Sequence, residues 1–330
     1  ALLDTRPLAA TLLDLLQKTP ALHGLSAKFA IQLDGGEALA MLEHPHDIWF
    51  SALPGTPARL AFGLAGCPAD PPLGVIGVEH AAELIEQLLL LFLDLAGSEH
   101  SRMRQLLTVI SPSQLLHQLQ ARLPFTLQTA PADWRRTPVS QGAAIGIYPQ
   151  PQSGLCMVAA AARLGRIDAA QLRALADMAE HYGDASLRLT PWQGVLLPNI
   201  HEHSADTLLH AMGELGLLTD AQEPLSKLIA CTGSAACAKG LSDSKADALH
   251  LAERLRASTA RPQVHLSACP RACAAAHTAP YTLLASSPGH YQLYQRTPQL
   301  PGFGQLLASA MTIDEAGDWF AAHCATGNSD

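Results

Sequence analysis

Four of the seven cysteines fall in two tight pairs, Cys231 with Cys237 and Cys269 with Cys273. Five residues separate the members of the first pair and three separate those of the second. Four thiolates drawn from two loops suit a cubane iron–sulfur cluster, in which each iron takes one soft sulfur ligand from the protein. We therefore predict a 4Fe-4S cluster on these four cysteines, and with it a redox protein.

Two other uses of four cysteines stay open on the residues alone. A structural zinc also accepts four thiolates, although its usual pairs leave two to four residues between ligands. Disulfides are the other use, and the isolated positions of Cys67, Cys156 and Cys324 speak against a disulfide framework. These three lie in or beside apolar or alanine-rich sequence, as small buried side chains do.

Two cations accompany the cysteine pairs. Lys239 follows Cys237 closely, and Arg271 stands between Cys269 and Cys273. Positive charge beside a cluster that carries four thiolates raises its reduction potential and attracts anionic ligands. Both residues are therefore candidates for binding an anionic substrate.

Histidines offer a further reading. His201 and His203 flank Glu202, and alternate residues of a strand point the same way, so two histidines and a carboxylate could hold a non-haem iron. The simpler interpretation is the polar end of a strand that precedes a helix capped by Ser204. His265 and His277, on either side of the second cysteine pair, could contact a cluster or a substrate.

Composition narrows the class of protein. A hydrophobic fraction of 48% with 15% charged residues predicts a compact globular chain. A net charge of −8 argues against nucleic acid as a partner, and the longest apolar run, residues 88–93, is too short to span a membrane. Oxidisable thiols suit the reducing cytoplasm, where we expect the protein.

The surrounding elements predict an α+β fold in four parts. Residues 1–125 read as an α/β domain with strands at 28–34, 48–53 and 59–64, and the polar stretch at 126–141 reads as a linker. Two strands, a helix, two strands and a helix within residues 142–220 indicate a ferredoxin-like unit. Residues 221–330 carry the cysteines, with strands at 263–267, 281–285 and 290–294 followed by two terminal helices.

Nothing in the sequence reads as a phosphate-binding glycine loop for a nicotinamide or flavin. Electrons are therefore expected from an external donor, either NAD(P)H-dependent or of the ferredoxin type.

These motifs resemble the sirohaem-type sulfite and nitrite reductases and their relative precorrin-3B synthase. The two cysteine spacings are similar to the cluster motif of that superfamily. Residues 187–193 (LRLTPWQ) with 194–198 resemble the strand pair of its second ferredoxin-like repeat, and residues 146–150 and Gly165 with Arg166 agree with it. Residues 26–30 (SAKFA) and 32–36 (QLDGG) resemble the lysine-bearing strand of its first tetrapyrrole-binding domain.

The resemblance implies a sulfite and nitrite reductase-like fold of tetrapyrrole-binding α/β domains plus a ferredoxin-like half-repeat. Residues 1–125 would be the first tetrapyrrole-binding domain, 142–220 the half-repeat and 221–330 the 4Fe-4S cluster-binding α/β domain. The anion reductases carry two lysines in that first strand, whereas Lys28 here is followed by Ala30. This difference and Arg271 favour precorrin-3B synthase, which uses O2 to hydroxylate precorrin-3A in cobalamin biosynthesis. Implied contacts to the carboxylates of the tetrapyrrole come from a set of polar residues: Lys28, Arg188, Gln193, Lys239 and Arg271.

Two alternatives accompany this reading. In a sirohaem-dependent nitrite or sulfite reductase, the resemblance implies that Cys273 bridges cluster and haem. An iron–sulfur electron-transfer protein would have no substrate of its own. The resemblance also implies a first half-repeat ahead of the segments matched here, and we expect part of the substrate pocket to come from it.

Overall fold

A computed structural model describes residues 1–131, 133–139, 144–275, 279–297 and 300–324. The chain divides into two compact units, residues 1–141 and 142–330. Both combine sheets with helices, which confirms the predicted α+β class. Within the described residues, no helix has the length and apolar character needed to cross a bilayer.

Unit 1 is built on a four-stranded sheet of order β1-β2-β3-β4, in which β1 and β2 are parallel and the other pairs antiparallel. Leu84 and Leu88 of its long apolar helix join Ile48 and Phe50 of the sheet in one buried core. The elements in chain order are α1 (Arg6–Lys18), β1 (Ile31–Asp34), β2 (His46–Leu53), β3 (Arg59–Gly66), β4 (Gly74–Gly77), α2 (Ala81–Ala96), α3 (Met103–Leu106) and α4 (Pro112–Gln120).

A buried carboxylate fastens the start of this sheet. Asp47 is 2% exposed and accepts two hydrogen bonds from the Arg102 guanidinium, at 2.9 and 3.0 Å from Nε. The same carboxylate accepts the backbone N–H groups of Ala30 at 2.9 Å and Met103 at 2.8 Å. Asp47 therefore joins the chain entering β1, the strand β2 and the first turn of α3.

A second buried ion pair holds the segment that follows α4. Arg136 donates from Nε to Asp34 at 2.8 Å, and the Ser51 hydroxyl donates to the same carboxylate. On the same side of the sheet, Trp134 packs with the buried ring of Trp49. Part of the predicted linker at 126–141 thus packs on the sheet of unit 1, to which this segment belongs.

Unit 2 contains two sheets. A four-stranded antiparallel sheet has the order β5-β6-β8-β7, and a five-stranded mixed sheet has the order β13-β12-β11-β10-β9. Three residues from the region of the four-stranded sheet belong to the core that packs on the five-stranded sheet: Ile145, Ala161 and Leu164. The elements are β5 (Gly146–Pro149), β6 (Leu155–Ala161), α5 (Ala169–Tyr182), β7 (Arg188–Leu189), β8 (Gly194–His201), α6 (Glu202–Glu214), β9 (Leu228–Ala230), α7 (Ser244–Arg256), β10 (Val264–Ser267), β11 (Tyr281–Ser287), β12 (His290–Gln295), β13 (Gln305–Thr312) and α8 (Ile313–His323).

Several predicted elements were wrong. The first of the two terminal helices is the strand β13, because residues rich in leucine and alanine pair there with β12. The strand predicted from Lys28 begins only at Ile31, and Lys28 lies in a turn before it. The short strands β4 and β9 were not predicted at all.

We expect Asp47→Asn to lower the free energy of unfolding of unit 1 by about 3 kcal/mol, because it leaves Arg102 half-buried without its counter-charge. Asp94→Asn is the matched control, since Asp94 also pairs with an arginine at 2.8 Å but is 63% exposed. That variant should change stability by no more than about 1 kcal/mol. Urea denaturation measures the unfolding free energy of both variants, and hydrogen exchange of the β2 amides assigns the change to unit 1. Equal losses of stability in the two variants would contradict the role of burial.

Candidate cluster site

The first cysteine of each pair lies at the same edge of the five-stranded sheet. Strands β9 and β10 are parallel, with Leu266 opposite Ala230. Cys231 directly follows β9, and Cys269 comes two residues after the end of β10. The Cys231 N–H donates to the Leu266 carbonyl at 3.2 Å, which continues the strand pairing up to the first thiol. Carboxyl ends of parallel strands are where such sheets commonly bind ligands.

The second cysteine of each pair lies farther out. Cys237 and Cys273 are exposed, whereas Cys231 and Cys269 are partly buried, and all seven cysteines of the chain are free. The two loops are joined directly, since the Leu241 N–H donates to the Ala268 carbonyl at 2.9 Å. The arrangement therefore presents two sheltered and two accessible thiols on adjoining loops.

Cys231 has the most polar contacts of the four thiols. Its Sγ accepts the Ala268 N–H at 3.2 Å and lies 3.2 Å from the Ser244 hydroxyl. The same hydroxyl also reaches the Cys231 carbonyl at 3.0 Å. Ser244 is the first residue of α7, whose N-cap Asp243 accepts the N–H of Ala246 at 3.2 Å.

Two glycines make the first cysteine loop compact. Gly233 has φ +70°, and a Cβ atom there would lie 2.6 Å from the Ser244 nitrogen and 2.7 Å from the Ser242 carbonyl oxygen. A Cβ atom on Gly240 would lie 2.6 Å from the Gly233 carbonyl carbon. A side chain at Gly233 would push the loop away from the start of α7, and one at Gly240 would push apart two segments of the loop itself. In the second pair, Ala272 also has a positive φ, at +50°.

A largely buried hydrogen-bond network holds the end of the first cysteine loop, at Ser242, against α7 and β12. The Tyr291 hydroxyl donates to Asp247 at 2.5 Å, and the Ser242 hydroxyl donates to the same carboxylate oxygen at 2.6 Å. Burial and the bond to Asp247 raise the pKa of Tyr291 far above its ordinary value, so the hydroxyl remains a donor. The Gly289 N–H completes the network by donating to Ser242 at 3.0 Å.

Lys245 links the cysteine loop to the ferredoxin-like part. Its ammonium donates to the carbonyl of Leu164 at 2.5 Å, in a turn where Leu164 has φ +49°. Burial lowers the pKa of Lys245, the charge of nearby Arg166 lowers it further, and Cys231 acts in the opposite direction. Lys245 therefore connects the first turn of α7, which begins with Ser244, to the turn at Leu164.

The predicted substrate residues are distributed over both units. Arg188 is exposed on the edge strand β7, and Gln193 precedes β8 with φ +61° and packs on Gly165. Lys239 and Arg271 are exposed on the two cysteine loops. Lys28 lies apart from these in sequence, in an exposed turn of unit 1 where its N–H donates to the Ser26 hydroxyl at 3.2 Å.

The histidine reading is corrected in part. His201 ends β8 and Glu202 begins α6, so the predicted helix start at Ser204 was two residues late and the two imidazoles do not share a strand. Their rings stack with centroids 5.5 Å apart. His265 is buried in β10, and His277 lies outside the described residues.

The cysteine loops offer sulfur donors that suit a cluster better than a single metal ion. In the described ranges, no three histidine, cysteine or carboxylate side chains converge as ligands of one ion must. A cubane makes a different demand, because each thiolate binds its own iron and the sulfurs stay farther apart. Four free thiols on two adjoining loops, with an N–H donor directed at one sulfur, fit that demand.

Four residues that support the cysteine loops were missed by sequence reasoning: Ser242, Ser244, Asp247 and Tyr291. A signal existed for one of them, since a serine that opens a helix just after a cysteine pair can reach back to the pair. Asp247 and Tyr291 are 44 residues apart, and nothing in their local sequence indicates the contact.

Two segments of the chain match domain families of known proteins. A family model described as the nitrite and sulphite reductase 4Fe-4S domain matches residues 1–127, and the nitrite/sulfite reductase ferredoxin-like half domain matches residues 148–215. The first segment contains Cys67 alone among the seven cysteines, so the four candidate ligands lie outside both matches.

Curated relatives are reductases. The chloroplastic ferredoxin–nitrite reductase of Spinacia oleracea is 27% identical over 71% of this chain and 42% of its own length. The enzyme of Zea mays is 27% identical over 82% of this chain and 52% of its own. This chain thus spans about half the length of these relatives.

A solved structure shares the fold. The Mycobacterium tuberculosis NirA protein superposes with a TM-score of 0.68 and 22% identity, over 86% of this chain and 59% of that one. Two segments of the chain, residues 1–127 and 148–215, are therefore domains of the nitrite and sulfite reductase type.

We expect Gly233→Ala to displace the first cysteine loop and to destabilise unit 2 by about 2–4 kcal/mol, from backbone strain and the close approach together. Gly154→Ala is the matched control, because Gly154 has φ +75° with nothing within 4 Å of its Cβ position. Its cost should be that of the strain alone, about 1–2 kcal/mol. Urea denaturation compares them, and identical losses would show that the close approach is unimportant.

Proposed function

We propose that this chain is the cluster-bearing part of an oxidoreductase that acts at a tetrapyrrole. The observation that carries the proposal is the meeting of the two cysteine loops at the carboxyl ends of β9 and β10. Cys231, Cys237, Cys269 and Cys273 would hold the cluster. A bound 4Fe-4S cluster would supply one-electron transfer.

The residues of the chain would hold and orient the reacting groups. The Ala268 N–H and the Ser244 hydroxyl stabilise negative charge on Cys231. Lys28, Arg188, Lys239 and Arg271 form no salt bridge within the part of the chain that the structure describes, so their charges are available to carboxylates.

The relatives favour sirohaem-dependent reduction of nitrite or sulfite as the reaction. The curated proteins are named as ferredoxin–nitrite reductases, and one is named as a ferredoxin-dependent sulfite reductase. By analogy a ferredoxin-type protein would donate the electrons. A reducing cytoplasm would preserve the thiolates, and we propose that location.

The residue at position 30, an alanine, favours a second reaction. Ala30 stands where the anion reductases are expected to carry a second lysine, and its N–H is bound by Asp47. A charged anion in a desolvated pocket then has one cation fewer to stabilise it. This supports O2-dependent hydroxylation of precorrin-3A, in which the tetrapyrrole is the substrate. Its carboxylates would be contacted by the five predicted polar residues: Lys28, Arg188, Gln193, Lys239 and Arg271.

Anaerobic purification with iron and labile-sulfide analysis tests the shared proposal. We expect about four of each per chain. Cys269→Ser should lose most of both, because it removes one thiolate, whereas Cys156→Ser should keep them, since Cys156 is buried in the ferredoxin-like core. Zinc without sulfide, or equal loss in both variants, would contradict the cluster assignment.

The absorption spectrum of the same sample separates the two reactions. Sirohaem bands would support the anion reductase. A brown protein without haem bands whose cluster spectrum responds to precorrin-3A would support the hydroxylase. A loaded cluster that responds to neither tetrapyrrole would identify an electron-transfer protein and contradict both reactions.

A further inference from the structure

The four candidate ligands are not equivalent. Cys231 Sγ accepts the Ala268 N–H at 3.2 Å and lies 3.2 Å from the Ser244 hydroxyl. For Cys237, Cys269 and Cys273, no hydrogen-bond donor reaches the sulfur from the residues described by the structure. Among the described residues, the polar contacts to sulfur are therefore concentrated at Cys231, which we call the Cys231 corner of the site.

The Ser244 hydroxyl lies within hydrogen-bond distance of two atoms of Cys231. Ser244 is completely buried, so water does not compete for the hydroxyl. Its one proton can go to the carbonyl oxygen or to the sulfur of Cys231, at 3.0 and 3.2 Å. A thiolate that shares the charge of a cluster is the stronger acceptor, because ionised partners make stronger hydrogen bonds than neutral ones.

Lys245 brings a full positive charge to the same corner. It is the next residue of α7, and its ammonium is held by the Leu164 carbonyl at 2.5 Å. The anchor keeps the charge in place beside the loop instead of leaving it free in solvent. Lys245 directly follows Ser244, whose hydroxyl lies 3.2 Å from Cys231 Sγ, so the anchored cation belongs to the same first turn of α7 that contacts the thiol.

We propose that Ser244 and Lys245 are positioning residues that raise the reduction potential of the cluster by stabilising negative charge at Cys231. This inference rests on the proposed cluster on the four cysteines. Reduction adds one negative charge, so a donor or cation at the ligand stabilises the reduced form more than the oxidised form. Removing either group should lower the potential.

The test is a potentiometric titration of the anaerobic, cluster-loaded protein, followed by electron paramagnetic resonance of the reduced state. For Ser244→Ala and for Lys245→Met we expect the reduction equilibrium to fall by about tenfold, which is about 59 mV for a one-electron couple. Ser244→Thr keeps a hydroxyl and Lys245→Arg keeps a charge, so each should restore most of the shift.

Two controls make the same chemical changes elsewhere in unit 2. Ser258→Ala removes a hydroxyl just beyond the opposite end of α7, where it donates to Leu255. Lys227→Met removes a charge just before β9, at the end of the strand remote from Cys231. Neither should move the potential by more than about twofold in the equilibrium constant.

The outcomes separate this inference from the proposed function. A wild-type protein without iron and sulfide would overturn both. A loaded cluster whose potential is the same in wild type, Ser244→Ala and Lys245→Met would overturn the inference alone. If Ser244→Ala loads poorly, Lys245→Met decides, because its side chain leaves the contacts of Cys231 intact. Equal shifts in the controls would also overturn the inference.

Discussion

The parallel pairing of β9 with β10 is the interaction on which the candidate site depends. Only three residue pairs make up this contact, yet they bring two loops that are about thirty residues apart to one edge of a sheet. Without that pairing the cysteines would be two unrelated pairs. The helix α7, the Tyr291–Asp247–Ser242 network and the glycines at 233 and 240 all stabilise the loop that begins where β9 ends.

In unit 1, buried ion pairs connect the sheet to the segments around it. Its sheet is tied to neighbouring segments by two buried carboxylates, Asp34 and Asp47, each paired with an arginine distant in sequence. Such pairs contribute little net stability compared with apolar packing, but breaking one is costly, because the remaining charge is left buried. They specify where the segments around Lys28 and Trp134 lie, since each carboxylate accepts bonds from several elements at once.

Local sequence signals were enough to predict the cysteine loops, the long helices and the class of fold. The spacing of the cysteines is a short-range pattern, and α2 is a continuous run of apolar helix-forming residues. Strand β9 has three residues and β13 has a composition that suits a helix, so their conformations are determined by pairing with neighbours. The contacts of Ser244 and Lys245 depend on the tertiary fold, which no local pattern reports.

The unequal burial of the four thiols has a consequence for assembly and damage. Cys231 and Cys269 are sheltered at strand ends, whereas Cys237 and Cys273 are exposed on the loops. If the four thiols bind the proposed cluster, an incoming cluster would meet Cys237 and Cys273 first, because these two are the exposed ligands. The same two thiols are open to oxidants. In the protein without a cluster, oxidation would begin at the two exposed thiols. The two partly buried thiols would stay reduced longer and could react with an oxidised neighbour to form a disulfide that is reversible.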